Sequence, residues 1–67
     1  MNVVQREEWL NILDQIGDEL SEEERRIAKA LADGKSTPDV SRMLGQHRSM
    51  IWRKAQRIRA RAKLAEG

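Results

Sequence analysis

The interval between Gly34 and Gly45 constrains this chain more than any other part of it. It holds Ser36-Thr37-Pro38-Asp39-Val40-Ser41-Arg42-Met43-Leu44. Ser36 or Thr37 is a capping residue, Pro38 falls in a first turn where its missing N–H does no harm, and Asp39 stands three residues after Ser36. Together they predict a helix start, and Gly45 predicts its end about two turns later. A helix that short serves to brace something else. Immediately after it comes a basic, helix-like segment, Arg48-Ser49-Met50-Ile51-Trp52-Arg53-Lys54, trailing into further arginines.

The rest of the chain is punctuated in the same way. Ser21-Glu22-Glu23-Glu24 is a capping box, with three glutamates where the helix dipole favours anions. Ile27, Ala28, Ala30 and Leu31 supply the buried face of that helix, and Gly34 is its terminating glycine. Upstream, the spacing predicts a helix over about 3–17, started by Asn2 and ended by Gly17. Trp9, Ile12, Leu13 and Ile16 form its apolar stripe, and Leu20 carries the apolar surface through the connector. In the short helix Val40, Met43 and Leu44 face the core. The last helix is expected from near His47 to about Lys63, with a frayed tail over residues 65–67. With Ile51 at zero and 100° per residue, Ala55, Ile58 and Ala62 fall within about 40° of it. Ser49, Trp52, Arg53, Gln56, Arg57 and Ala60 fall on the opposite side.

These elements predict an all-α fold: a small four-helix single domain over residues 1–67. The N-terminal helix lies in 1–19. Region 20–65 contains a helix-turn-helix, two short helices joined by a tight glycine turn with the second helix basic. The absence of Phe and Tyr and the 36% of charged residues agree with helices rather than sheet. At 67 residues the core is small and benefits from packing, a partner or self-association. No cysteine is present, which excludes a disulfide and a Cys-based zinc site, and His47 is the one histidine. No cofactor, no metal and no enzymatic chemistry are expected: there is no Ser/His/Asp spacing and no glycine-rich phosphate loop. The absence of a secretory signal or a membrane-length apolar run gives the expectation of a cytoplasmic protein that does not enter membranes.

Charge is distributed unevenly. Residues 1–33 carry nine acids and four bases, a balance of −5, and residues 34–67 carry nine bases and two acids, a balance of +7. Such a split is a prior for polyanion binding by the C-terminal half.

The stretch from Leu20 to Lys63 resembles the helix-turn-helix of bacterial sigma factor region 4 and of LuxR-type response regulators. The shared features are the "LSEEER" lead-in to a helix, the "DGKST" break, a helix ending "MLG", and a basic helix after the turn. The resemblance implies a DNA-binding transcriptional regulator, a small stand-alone protein of the sort phages and mobile elements carry. This sequence departs from the family at three places. Ser41 stands where alanine is usual, Gln46 where an apolar residue is usual, and His47 where a Ser or Thr cap is usual.

Under that resemblance the base contacts are Arg48, Ser49, Trp52, Arg53 and Gln56, with arginine suited to guanine and glutamine to adenine. Phosphate contacts are Lys35, Thr37, Arg42, His47, Lys54, Arg57, Arg59 and Arg61, each set against the alternative of solubilising charge. Trp52 either faces outward to a ligand or folds back into the core. Trp9, Ile12, Leu13 and Ile16 are foremost core positions; the alternative is a face for a homodimer or a partner, formed by Trp9, Leu10, Leu13 and Ile16. Expected partners are double-stranded DNA, a second copy, and RNA polymerase or another transcription factor. The competing class is a protein-interaction module that uses a helix-turn-helix scaffold to bind a transcription factor or polymerase, motivated by polar Gln46 and by Trp52.

Overall fold

A computed structural model describes the backbone of residues 3–66 and the side chains of residues 6–65. It contains four helices: α1 Val3–Ile16, α2 Glu22–Ala32, α3 Thr37–Leu44 and α4 Arg48–Glu66, with a 3-10 turn at Gly17–Glu19. No strand occurs among the described residues, so the chain is all-α. The cap expected at Asn2 and the end of the tail at Gly67 lie outside the described residues.

The local signals act as their chemistry requires. Ser21 accepts from the Glu24 N–H at 3.1 Å and Glu24 accepts from the Ser21 N–H at 2.9 Å, closing the box at the start of α2. Ser36 and Asp39 close the second box, which settles the cap of α3 on Ser36 rather than Thr37. At the end of α2 the Lys35 N–H reaches the Ala30 carbonyl and the Gly34 N–H reaches Leu31. That is a Schellman closure, and it places Gly34 at φ 95°. Arginines satisfy carbonyls elsewhere. Arg6 Nε donates to Ala32 O at 3.1 Å across the end of α2, and Arg25 donates to Gly17 O at 3.3 Å.

The core packs Trp9 among small and branched side chains in a molecule 32 × 26 × 16 Å. Trp9, Ile12 and Ile16 of α1, with Leu20, meet Ile27, Ala28, Ala30 and Ala32 of α2. α4 docks through the expected seam, with Ile51, Ala55, Ile58 and Ala62 all buried. α3 contributes Val40, fully buried, and half-buried Leu44.

Two expectations are corrected. Met43 does not face the core: it is 59% exposed. With Val40 at the centre of the contact, Met43 swings about 60° to one side, over an open groove beside Arg26 and Lys29 of α2 and Asp33 at its end. An eight-residue helix rests on the core through little more than one residue. The tail is not frayed at residues 65–66 either; α4 continues to Glu66, carried by the helix formers Ala62, Lys63, Leu64 and Ala65.

Candidate nucleic-acid interface

The connection from α3 to α4 spans Gly45, Gln46 and His47. Gly45 takes the left-handed conformation at φ 67°, and the N–H groups of Gly45 and Gln46 both close on the Ser41 carbonyl. Ser41, Gln46 and His47 each have a role here. The Ser41 hydroxyl donates to the Gln46 carbonyl, which an alanine could not do. The Gln46 amide donates to Glu23 of α2, and its oxygen accepts from Lys54 Nζ of α4 at 2.8 Å. Lys54 Nζ also lies 2.8 Å from Glu23 Oε1. The polar turn residue therefore bridges an acid and a base. The hydrogen bond from Lys54, then that from Gln46, hold the Glu23 carboxyl below its ordinary value.

His47 replaces the usual hydroxyl cap by other means. Its carbonyl accepts from Met50 N–H at 2.9 Å, and its ring Nδ1 accepts from Ser49 N–H at 3.1 Å. A backbone N–H only donates, so Nδ1 is the acceptor and the neutral ring carries its proton on Nε2. The Ser49 hydroxyl, 2.8 Å from the same nitrogen, is then a donor to it.

The seven cations of α4 divide into two sets. Lys54 pairs with Glu23, and Arg61 pairs with Glu24 at 3.3 Å and donates to Glu19 O at 3.2 Å. Arg59 Nε lies 3.0 Å from Glu8 Oε2, close enough for the charges to pair although the N–H is not aimed at the carboxylate. The Arg59 guanidinium also sits 5.5 Å from the centre of the Trp9 ring. These three fasten α4 to α1 and α2. Arg48, Arg53, Arg57 and Lys63 are exposed and make no ion pair among the described residues.

Of the expected base contacts, Arg48, Ser49, Trp52 and Arg53 are exposed on α4, and Gln56 is half-buried with its oxygen 3.4 Å from Arg59 Nη1. Trp52 is 58% exposed, which decides between its two alternatives in favour of the outward one. Of the expected phosphate contacts, Lys35, Arg42, His47 and Arg57 are exposed and Thr37 is half-buried; Arg42 pairs with Asp39 at 3.4 Å. Lys54, Arg59 and Arg61 point to the acidic helices instead. Among the four positions of the alternative dimer face, Trp9 and Ile16 are each 2% exposed and belong to the core. Leu13 packs partly against the core, and Leu10 alone stands free.

The inward role of Lys54, Arg59 and Arg61 is not among the sequence expectations, yet a signal for it exists. Measured from Ile51, these residues lie about 60–80° to either side, on the shoulders of the seam, whereas Arg53 and Arg57 lie beyond about 110°. The role of Glu8, Glu23 and Glu24 as their partners has no local signal, because it depends on how the helices pack.

No family model, curated protein or solved structure matches this chain. Among the described residues no helix is long and apolar enough to cross a membrane.

Proposed function

We propose that this chain is a sequence-specific DNA-binding transcriptional regulator, in which α3 and α4 act as a helix-turn-helix and the outward face of α4 lies in the major groove. The observation that carries this reading is the division of cations on α4. Three satisfy internal acids, while Arg48, Arg53 and Arg57, with Lys63 near the helix end, remain exposed on the helix that succeeds the glycine turn. A structural role accounts for the first set and not for the second. The tight turn at Gly45 and the narrow Ile51–Ala62 seam support it, since they leave the other side of α4 uncovered. The likeness to sigma region 4 and LuxR-type domains belongs to the same proposal.

The test is selection from a random duplex pool by the purified chain at physiological salt. An enriched palindrome would support a dimeric regulator, and a single enriched site a monomer or a sigma-like role beside polymerase. Failure to enrich any sequence, with binding lost as salt rises, contradicts the proposal.

A second reading, a module that binds a transcription factor or polymerase, is favoured by the exposure of Trp52 and Met50 on α4. Gln46 does not support it, because its polar groups are engaged inside the domain. This reading predicts that Trp52→Ala abolishes a protein complex while duplex binding stays weak and non-specific.

A further inference from the structure

The outward face of α4 offers more donors than acceptors, and bonds within the domain sharpen the imbalance. Arg53 has donors only. Gln56, one helical turn later, has both, but Arg59 Nη1 lies 3.4 Å from its Oε1. A guanidinium has no acceptor, so the amide presents its oxygen to Arg59, and the Nε2 hydrogens are left without a partner among the described residues. Arg59 is itself held in place. Its guanidinium lies over Trp9, which is buried, and its Nε lies beside Glu8. The orientation of the Gln56 amide is therefore set from α1, outside the two helices that carry the proposed interface.

We infer that Arg53 and Gln56 select neighbouring guanines on a major-groove edge, with Arg59 as the positioning residue that makes Gln56 a donor. This rests on the DNA-binding function proposed above. Three residues of helix advance about 4.5 Å along the axis, comparable with a base-pair step of about 3.4 Å. Guanine presents two acceptors, N7 and O6, whereas adenine presents an acceptor beside a donor. Bidentate pairing of glutamine with adenine needs the amide oxygen, which here faces Arg59. Cytosine presents a donor, for which neither side chain has an acceptor aimed outward. The expectation that Gln56 reads adenine gives way to guanine.

The test is duplex selection by the wild type, Arg59→Met, Arg59→Lys and Gln56→Ala, with circular dichroism to establish that each is folded. The wild type is expected to enrich adjacent guanines. Gln56→Ala identifies which of them depends on Gln56, and replacing that guanine by 7-deazaguanine weakens binding on the order of tenfold. Arg59→Met frees the amide oxygen and admits adenine at that position alone, while Arg59→Lys keeps a donor there and retains guanine. Should Arg59→Met fail to fold, Gln56→Lys, a donor-only side chain, must keep the guanine; its loss overturns the inference. A wild-type site with adenine at the Gln56-dependent position overturns the inference and leaves DNA binding standing. An unchanged site in folded Arg59→Met overturns the positioning role. No enrichment of any sequence overturns both the inference and the function it rests on.

Discussion

The two sets of cations on α4 differ in what surrounds them, although their residue types are the same. Lys54, Arg59 and Arg61 lie on the shoulders of the buried seam and meet Glu23, Glu8 and Glu24. Arg48, Arg53 and Arg57 lie farther round the helix or beyond the end of the seam, and meet no acid among the described residues. The contrast shows that a lopsided charge distribution is not by itself a nucleic-acid footprint. Part of the +7 in the second half answers part of the −5 in the first. A seam built on two alanines and two isoleucines gives α4 modest apolar contact, and ion pairs on both shoulders fix its rotation. Only the remaining cations are free to meet a polyanion.

The largest expected effect separates the sets outright. Replacing Arg48, Arg53 and Arg57 together by alanine lowers duplex affinity by about a hundredfold or more and leaves the melting temperature nearly unchanged. A comparable fall in stability would show that the outward set is structural after all. The next effect falls on the inward set. Arg59→Ala removes the contact with Trp9 and the pairing with Glu8, and costs about 1–2 kcal/mol of stability by urea denaturation. An unchanged midpoint would remove the distinction at that position.

A third prediction sharpens the contrast by pH. The folded-state value of Glu23 is lowered, chiefly by Lys54, so its contribution to stability is present above the ordinary carboxylate value of 4.5 and is lost as pH falls through the lowered folded value. Asp39 behaves in the same way, held down first by the Ser36 N–H and then by its hydroxyl. Thermal melts should therefore show stability falling with pH below about 4.5, and Glu23→Gln should flatten part of that fall. An identical pH profile in the variant would mean that the Glu23–Lys54 pair contributes nothing. The smallest effect is expected for Gln46→Leu, which makes the turn apolar. It removes the bridge to Glu23 and Lys54 and should shift the melting temperature by only a few degrees. A large loss would make the bridge, rather than the seam, the main hold on α4.

Much of the fold is legible in the sequence because its signals are local. Both capping boxes, the terminating glycines Gly34 and Gly45 and the four-residue seam of α4 come from spacing alone, and each is found where expected. Met43 departs from its expected place because an eight-residue helix meets the core through Val40 and part of Leu44, so periodicity overstates how much of it is covered. The candidate interface is legible in part. The outward positions of Arg53 and Trp52 come from the helical wheel. The inward turn of Arg59 and the orientation of Gln56 depend on Glu8 and Trp9, more than forty residues upstream, and no local pattern encodes that contact. The cap at His47 is hidden for a different reason: imidazole is seldom the acceptor at a helix start, though the Ser49 N–H uses it here.

The most direct measurement is the salt dependence of duplex binding for the wild type, Arg57→Ala and Lys54→Ala. Each phosphate contact adds about 0.9 to the slope of log affinity against log salt. Arg57→Ala is predicted to reduce the slope by about one contact's worth, and Lys54→Ala to leave it unchanged. Equal reductions in both variants, or binding that does not respond to salt at all, would contradict the division of α4 into a fastening set and a DNA-facing set.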